Sequence, residues 1–230
     1  MMDFERLKGV FLNLFYPRRA TCLGCGDMLG CDRDDLCEDC RVKLAKSWIG
    51  LKQPSGKSRI DTAAYAYGYH GPAGMLVRNL KYRGAWLLAE EMGRDIARAA
   101  MLMRIENICY VAAVPMHPKR LRQRGKNHAE LLARVVAEEL GLEYVDMLMR
   151  TRNARQQARL SAQARKENMC GAFAVREEYR ELVNGAEVLI IDDVFTTGAT
   201  AASCAKALKD AGVDKVYFAA YANGERKKHG

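Results

Sequence analysis

The fold of this chain is decided by Val188-Leu189-Ile190-Ile191-Asp192-Asp193-Val194-Phe195-Thr196-Thr197-Gly198-Ala199-Thr200. An apolar run followed by two acids and a hydroxyl-rich turn is typical of a buried parallel strand that ends at the carboxyl edge of a sheet. Hydroxyls and backbone N–H groups at a helix start suit a phosphate, and Gly198 can adopt the positive φ that aligns several amides. Asp192 and Asp193 would repel that phosphate but can accept hydrogen bonds from vicinal hydroxyls. The stretch predicts a site for a ribose 5-phosphate.

Segments with strand-like and helix-like patterns alternate along the rest of the chain. Asn127-x-x-Glu130 looks like a capping box at the start of one of the helices. Alternation of this kind predicts an α/β fold with a parallel sheet. The expected elements are strands at 61–70, 108–114, 187–191 and 215–221, and helices that begin at Gly71, span 88–103, run from Asn127 to Gly141 and span about 200–211.

Five of the eight cysteines lie between residues 22 and 40. Two Cys-x-x-Cys pairs, Cys22 with Cys25 and Cys37 with Cys40, can close a tetrahedral shell of four thiolates around structural Zn²⁺. An Fe–S cluster takes the same four ligands, so the sequence leaves both metals open. Cys31 is a spare thiol or an alternate ligand. The remaining cysteines are expected to be small buried hydrophobic residues: Cys109, Cys170 and Cys204.

Length and composition fit one core and a small appendage, since the chain has 230 residues of which 49% are hydrophobic. No uncharged apolar run reaches the roughly 18 residues of a membrane-spanning helix. Asp3 and Glu5 give the first segment the wrong charge for a secretory leader, so we expect a cytoplasmic protein. Apolar residues at helical spacing over 1–17 predict an amphipathic helix that docks on the domain.

The net charge is +9, and the excess of positive charge lies in two stretches, 118–126 and 150–166, that contain no acid. Each stretch is either a solvated face or an anion site. Neither contains an aromatic residue, which argues against base stacking and leaves electrostatics as the means of binding a nucleic acid. The basic residues are Lys119, Arg120, Arg122, Arg124 and Lys126, then Arg150, Arg152, Arg155, Arg159, Arg165 and Lys166.

The acid pair and the turn Thr196-Thr197-Gly198-Ala199-Thr200 resemble the loop with which type I phosphoribosyltransferases bind phosphoribosyl pyrophosphate (PRPP). In those enzymes the acids hold the ribose 2- and 3-hydroxyls and the turn holds the 5-phosphate. Nearly the whole chain resembles the ComF family, named for bacterial competence. This wider resemblance is carried by the cysteine pairs, Leu80-Lys81-Tyr82-Arg83-Gly84, the segment 114–125, Arg152-x-x-x-Gln156, Leu160-Ser161, Arg165, Asn168 and Gly171-Ala172-Phe173.

The resemblance implies a type I phosphoribosyltransferase-like parallel sheet with helices on both faces, preceded by a small N-terminal zinc ribbon. It implies PRPP or a related ribose phosphate as ligand, bound with Mg²⁺. It also implies a pyrophosphate loop at 114–124 and a flexible loop at 150–168, with Lys119, Arg120, Arg124, Arg152, Gln156 and Arg165 as candidate ligands. The family pattern has an aromatic residue and Gln where this chain has Lys126 and His128, which leaves the acceptor open.

The expected organisation follows from these segments. Residues 1–50 hold the amphipathic helix and the four-cysteine zinc-ribbon segment, and 51–59 form a linker. Residues 60–224 form the phosphoribosyltransferase-like domain, and 225–230 form a flexible tail.

Three functions are compatible with the sequence. The first, which we favour, is a PRPP-binding protein that acts in DNA uptake and handles single-stranded DNA together with the uptake machinery. The second is an active phosphoribosyltransferase that transfers ribose 5-phosphate from PRPP to an unknown amine or base. The third is a PRPP- or nucleotide-responsive binding protein without catalysis, because a fold does not fix a function.

Overall fold

A computed structural model of the chain describes residues 21–29, 35–54, 58–82, 86–104, 106–151 and 172–224. Several predictions of the sequence lie outside these ranges. They are the amphipathic helix at 1–17, Cys31, Cys170, the tail 225–230 and most of the flexible loop, including Arg152, Gln156 and Arg165. Among the described residues, no helix is long and apolar enough to cross a membrane.

Within the described ranges, six strands form one sheet in the order β1-β2-β8-β7-β3-β4, and β5 pairs with β6 in a separate two-stranded sheet. Neighbouring strands of the large sheet are parallel except for β1 and β2. The predicted parallel α/β sheet is therefore confirmed. The strands are β1 (Trp48–Leu51), β2 (Thr62–Gly68), β3 (Ile108–Ala113), β4 (Glu143–Tyr144), β5 (Leu148–Arg150), β6 (Phe173–Val175), β7 (Glu187–Phe195) and β8 (Lys215–Asn223).

The helices connect and cover these strands. The described α-helices are α1 (Glu38–Lys46), α2 (Gly71–Tyr82), α3 (Trp86–Ala100), α4 (Pro118–Arg124), α5 (His128–Leu140), α6 (Arg180–Val183) and α7 (Ala199–Asp210), with 3-10 turns at Met101–Met103 and Glu177–Tyr179. Helix α5 packs on β3 and β7 and against α3, whereas α7 packs on β7 and β8. The crossovers β3-α5-β4 and β7-α7-β8 run in opposite directions along the sheet, and right-handed crossovers place their helices on opposite faces.

Strand β7 is the centre of the core. Val188, Leu189, Ile190 and Ile191 are completely buried, as expected for a strand with neighbours on both edges and helices on both faces. The sequence predicts a strand that ends at residue 191, but β7 continues to Phe195 because its residues go on pairing with β8. The two acids therefore lie within the strand and not in the turn after it.

The start of helix α5 differs from the predicted capping box. Asn127 is the N-cap residue, but its side-chain amide Nδ2 donates to the carbonyl oxygen of Val114 at 3.1 Å. Glu130 pairs with Arg134 on the next turn, at 2.9 Å between Arg134 Nη2 and Glu130 Oε1. The helix begins where the sequence predicts, but Asn127 ties the segment before α4 to α5 in place of capping the helix.

The edge strand β1 begins within the predicted first segment and ends at Leu51, the first residue of the expected linker. It pairs antiparallel with β2, and the Trp48 ring contacts Tyr67 at 5.5 Å between ring centroids. This apolar contact and the backbone pairing give residues 48–51 a place in the large sheet. The domain boundaries themselves stay predictions.

The cysteine-bearing segment packs against the main domain through Leu23 and Asn79. Leu23 is 2% exposed and belongs to the common core, and its carbonyl oxygen accepts a hydrogen bond from Asn79 Nδ2 at 2.9 Å. Asn79 itself is buried on α2, so the bond satisfies an amide that would otherwise be costly to bury. The ribbon segment is thus attached to the helix that leads to the site.

Candidate functional site

The carboxyl ends of β7 and β3 form the crevice in which this fold type binds ligands. The two strands are neighbours, and their following helices leave in opposite directions, which defines the topological switch point of the sheet. The backbone N–H of Val114 donates to the carbonyl oxygen of Ile191 at 3.0 Å, which extends the pairing to the strand ends. Asp192 to Thr200 and the basic helix α4 therefore lie at the two sides of one crevice.

The turn after β7 has the backbone that the sequence predicts. Gly198 has φ +72° and is the N-cap residue of α7, with no side-chain cap on the helix start. A Cβ atom at this position would lie 2.6 Å from Cζ of Phe195, so glycine is required by space as well as by conformation. Thr196 and Thr197 are exposed, and Ala199 and Thr200 form the first turn of α7 with partly exposed residues. The arrangement presents amides and hydroxyls to an anion.

The Phe195 ring packs against the turn at Gly198. It packs against Tyr65 at 5.3 Å and Phe218 at 5.5 Å between ring centroids. The backbone carbonyl of Phe195 also accepts the N–H of Gly224 at 2.7 Å. The hydroxyl-bearing turn thus rests on a fixed aromatic layer.

The acid pair occupies two different environments. Burial and the like charge of Asp193 raise the pKa of Asp192 to about 8, against the opposing effects of the Asp193 N–H and of Lys81. The Asp193 N–H donates to Asp192 Oδ1 at 2.8 Å. Lys81 Nζ lies 3.0 Å from Oδ1 and 2.9 Å from Oδ2 of Asp193. One acid therefore has a cation, while the other is held close to its neutral form at physiological pH.

His128 is a buried polar residue beside this pair. It is 6% exposed at the start of α5, and its Nδ1 atom has no hydrogen-bond partner among the residues that the structure describes. Burial lowers the pKa of His128, opposed by the charge of Asp193 and reinforced by the positive charges of Arg124 and Lys81. A neutral imidazole is therefore the expected form at physiological pH.

Helix α4 carries the first basic stretch on the β3 side of the crevice. His117 caps it, since its Nδ1 accepts the N–H of Lys119 at 3.1 Å, and Gly125 ends it with φ +75°. Lys119, Arg120 and Arg122 are exposed, and Arg124 is partly buried. The candidate residues Lys119, Arg120 and Arg124 thus lie on one short helix that follows β3.

Arg150 is the part of the second basic stretch that the structure describes in detail. Its guanidinium lies 4.9 Å from the centroid of the Phe173 ring. Its Nε atom is buried and has no partner among the described residues. Burial lowers the pKa of Arg150, and the charge of Arg120 adds to this effect. The two basic stretches therefore approach each other at Arg120 and Arg150, while Arg152, Gln156 and Arg165 lie outside the described residues.

The two cysteine pairs come together as the sequence predicts. The Sγ atoms of Cys22, Cys25, Cys37 and Cys40 all lie within 4.8 Å of one another. Cys25 Sγ and Cys37 Sγ are 3.8 Å apart. This matches the separation of about 3.8 Å that four Zn–S bonds of about 2.3 Å give in a tetrahedron.

Backbone amides prepare one of these thiols for a metal. The N–H groups of Gly24 and Cys37 each donate to Cys22 Sγ at 3.3 Å. These bonds lower the pKa of the Cys22 thiol to about 6, although burial alone would raise it. Among the cysteines that the structure describes, none forms a disulfide. The donor set therefore suits Zn²⁺, and four thiolates also fit an Fe–S cluster.

The three remaining cysteines were expected to be buried. Cys204 is buried in α7, which confirms the expectation there. Cys109 is exposed, so the expectation was wrong at that position. The reason is a shift in the pairing of β3 with β7 between Ile108 and Tyr110, at the start of β3, which leaves residue 109 without a partner in β7.

Sequence reasoning missed Lys81 and His128 as members of the acid-pair site. Lys81 belongs to the Leu80–Gly84 motif, which was noted only as part of the family resemblance, and 112 residues separate it from Asp193. His128 was noted only as a departure from the family pattern. No local signal placed Lys81 there, since a helix that follows a parallel strand normally ends at the amino edge of the sheet, and only the packing of α2 brings Lys81 to Asp193.

The chain was compared with protein-family models and with solved structures. The family model described as "Phosphoribosyl transferase domain" matches residues 126–229, a range that includes the acid pair and the turn. A solved structure of glutamine PRPP amidotransferase from B. subtilis, complexed with ADP and GMP, covers 56% of this chain and 25% of its own, with 21% identity and a TM-score of 0.40.

Curated relatives cover most of the chain. DNA utilization protein YhgH of Salmonella typhi is 30% identical over 185 residues, which cover 76% of this chain and 78% of that protein. Competence protein F of Haemophilus influenzae is 27% identical, with 94% of this chain and 96% of that protein covered. Competence protein ComFC of Streptococcus pneumoniae is 23% identical, with 84% of this chain and 77% of that protein covered. With a four-cysteine cluster, a parallel α/β sheet and these relatives, the chain belongs to the ComF family.

Proposed function

We propose that this protein binds PRPP with Mg²⁺ in the crevice between β7 and β3, and that it uses this domain in DNA uptake. The observation that carries the proposal is the juxtaposition at one strand end of an acid pair and a glycine-containing turn that opens α7. Amides and hydroxyls of the turn suit the 5-phosphate, and the carboxylates suit the ribose hydroxyls.

Magnesium fits the same crevice. Carboxylate oxygens and phosphate oxygens are the ligands that Mg²⁺ prefers, and the ion usually keeps several waters and bridges substrate phosphates. Asp192 and Asp193 are the described carboxylates nearest the turn. Mg²⁺ would neutralise charge on the pyrophosphate, and helix α4 would add positive charge from the β3 side.

Calorimetry tests the proposal. PRPP is titrated into the full-length protein with Mg²⁺ present, and the titration is repeated with excess EDTA. Saturable one-to-one binding that weakens on removal of Mg²⁺ is the expected result. Heats no larger than dilution under both conditions would contradict a PRPP site.

The role in DNA handling is supported by the exposed basic residues of α4 and by the relatives, which are named for DNA utilization and competence. Lys119, Arg120 and Arg122 are exposed on that helix, where phosphates can reach them. Their stretch lacks aromatic residues, so the binding would be electrostatic. Affinity for a single-stranded oligonucleotide should fall with salt, with a log–log slope of about −0.7 for each phosphate neutralised.

A matched pair of variants locates the DNA contacts. The triple variant Lys119→Gln, Arg120→Gln, Arg122→Gln should lower the salt slope by about 2 if these side chains contact phosphates. The control Arg59→Gln, Lys206→Gln, Lys209→Gln also removes three positive charges, at residues that pair with Asp210 and Asp61 and not with the acid pair. Equal affinities for DNA in both variants and the wild type would exclude α4 as the DNA surface.

An active phosphoribosyltransferase is the second candidate, favoured by Asp192. A carboxyl with a pKa of about 8 titrates near physiological pH next to the sugar site, as catalytic groups often do. Release of pyrophosphate from PRPP on addition of an amine or base, abolished in Asp192→Asn, would establish this function. A protein that binds PRPP and DNA but releases no pyrophosphate with any acceptor would favour the binding role.

The four-cysteine cluster is proposed to hold one structural Zn²⁺. Clustered cysteines that bind a metal as thiolates are typical of a reducing compartment, which supports a cytoplasmic location. Elemental analysis of protein expressed without added metal should give one zinc per chain, and Cys37→Ser should lose most of it. Iron in place of zinc, or full zinc retention in the variant, would refute the assignment.

A further inference from the structure

We propose that Lys81 recognises the anionic group on C1 of the bound sugar, and so makes the site select PRPP over ribose 5-phosphate. This inference rests on the proposed PRPP function and adds to it a residue that determines specificity. The supporting observations are the Lys81–Asp193 ion pair, the direction in which the sugar must lie, and the positive groups around the acid pair.

The ion pair is close and partly buried. Lys81 Nζ contacts both carboxylate oxygens of Asp193, at 2.9 and 3.0 Å, and the two side chains are 21% and 13% exposed. Lys81 lies in the last turn of α2, whereas Asp193 lies near the end of β7. The ammonium is therefore brought to the acid pair by a different element from the one that carries the phosphate turn.

The direction of the sugar follows from its two anchors. A 5-phosphate at the turn Thr196–Thr200 and hydroxyls at the acid pair place C5 toward the turn and C1 beyond the acids. An ammonium that contacts Asp193 lies on the acid side of the sugar. Among the described residues, Lys81 is therefore the cation that contacts the acid pair, and it lies on the side where the pyrophosphate of PRPP would lie.

Binding of a hydroxyl to Asp193 changes what Lys81 can do. A ribose hydroxyl must donate to one of the same two oxygens that Lys81 now occupies. The ammonium has three donors and a flexible stem, so it can give up one of these contacts and turn to an incoming phosphate oxygen. A ligand with negative charge at C1 restores the lost contact, whereas ribose 5-phosphate cannot.

Neighbouring groups strengthen this assignment. His128 is buried at the start of α5, where it lies within reach of the charges of Asp193, of Lys81 on α2 and of Arg124 on α4. Three elements thus bring cationic or hydrogen-bonding groups to the acid pair. The combination suits an anion of several charges better than a neutral hydroxyl.

A purely structural ion pair is the competing explanation, and the chain offers a matched control. Lys215 forms a comparable pair with Glu187 at the other end of β7, at 2.7 Å between Nζ and Oε1. Lys215→Gln removes a lysine–carboxylate pair from the same strand without touching the crevice. Its effects on ligand binding report the consequences of losing such a pair for the fold alone.

The experiment measures the affinities of PRPP and ribose 5-phosphate, each with Mg²⁺, by calorimetry on full-length wild type, Lys81→Gln, Lys81→Arg and Lys215→Gln. In Lys81→Gln we expect PRPP affinity to fall by about 10- to 100-fold, the scale of one charge-assisted hydrogen bond, while ribose 5-phosphate changes by less than about 3-fold. Lys81→Arg should recover most of the loss. Lys215→Gln should alter neither affinity.

The other outcomes separate the inference from the proposed function. If Lys81→Gln lowers the affinities for PRPP and ribose 5-phosphate equally, Lys81 only holds Asp193 in place. If it raises both affinities, Lys81 only competes with the sugar for Asp193. Either result overturns the inference and leaves the PRPP site in place. A wild-type protein that binds neither ligand would overturn both. Thermal melting of each variant shows whether it is folded, and Lys81→Met replaces Lys81→Gln if the latter is not.

Discussion

The two ends of strand β7 carry acids in opposite situations. At the amino end, Glu187 accepts from Lys215 Nζ at 2.7 Å and from the Tyr217 hydroxyl at 2.8 Å, and the Lys215 hydrogen bond lowers the pKa of Glu187. At the carboxyl end, burial and the charge of Asp193 raise the pKa of Asp192 to about 8. The amino end of β7 therefore stabilises the charged form of Glu187, whereas the carboxyl end disfavours the charged form of Asp192.

This difference separates structural from functional charge on one strand. Glu187 has protein partners on both carboxylate oxygens, so it contributes to stability and leaves nothing for a ligand. Two adjacent acids near a buried imidazole whose Nδ1 has no partner among the described residues are a costly arrangement for the fold. Such local cost is typical of sites that are completed by a ligand.

The largest effect is expected when the acid pair is removed. The double variant Asp192→Asn, Asp193→Asn should lower PRPP affinity by about 100-fold, since the charge-assisted acceptor of Asp193 is lost and each side chain loses one acceptor oxygen for the sugar hydroxyls. Calorimetry with Mg²⁺ measures it. Glu187→Gln is the control at the other end of β7 and should bind PRPP like the wild type. Equal PRPP affinities in the wild type, the double variant and the control would contradict a functional role for the acid pair.

A smaller effect is expected from the turn. Gly198→Ala must bear a positive φ of +72° and a Cβ atom 2.6 Å from the Phe195 ring, so we expect about 10-fold weaker PRPP binding and a loss of about 2 kcal/mol in stability. Gly141→Ala has a similar φ of +66° but meets nothing within 4 Å.

The two glycine variants together isolate the contact with Phe195. Gly141→Ala should cost about 1 kcal/mol through its backbone alone and leave PRPP affinity unchanged. Urea unfolding and calorimetry on both variants provide the comparison. If Gly141→Ala weakened PRPP binding as much as Gly198→Ala, the turn would have no special role.

At the amino end of β7, a substitution should reduce stability and leave PRPP binding unchanged. Glu187→Gln should lower the free energy of unfolding by about 1 kcal/mol, because it removes the charge from two hydrogen bonds at a nearly buried side chain. Urea unfolding at pH 7 measures this loss. An unchanged unfolding free energy would show that this end is no more structural than the other.

The smallest predicted effect is a difference in pH dependence. The folded-state pKa of Asp192 is raised above its unfolded value near 4, so this group lowers stability progressively as pH rises from about 4 to 8. Asp192→Asn removes that cost and should raise Tm by about 2–4 °C at pH 8, with a smaller gain at pH 5.

Glu187 should give the opposite trend. Its lowered folded-state pKa stabilises the protein above the unfolded value near 4.3, and this contribution is lost as pH falls through the folded value. Glu187→Gln should therefore lower Tm at pH 7 and approach the wild type at acidic pH. Parallel Tm profiles for the two variants would contradict the assignment of opposite roles.

Features of the fold and the site that depend on a short stretch of sequence could be predicted from the sequence. The apolar run and the Asp-Asp-x-x-Thr-Thr-Gly motif led to β7, the turn and the positive φ of Gly198, all of which the structure contains. The spacing of the cysteine pairs led to the four-thiol cluster. In each case the signal lay within about 20 residues of sequence.

The rest depended on contacts between distant segments. Lys81 meets Asp193 only because α2 ends at the same sheet edge as β7. The amide of Asn127 bonds Val114 in place of capping its own helix, which local capping rules cannot foresee. The strand that continues past residue 191 is likewise fixed by pairing with β8 and not by its own residues, since acids are poor strand formers.

A crystal structure of the full-length protein with PRPP and Mg²⁺ tests the central claim most directly. We expect the 5-phosphate at the Thr196–Thr200 turn and the ribose hydroxyls at Asp192 and Asp193. A sugar phosphate bound away from the carboxyl end of β7, with the acid pair and the turn free of ligand, would contradict it.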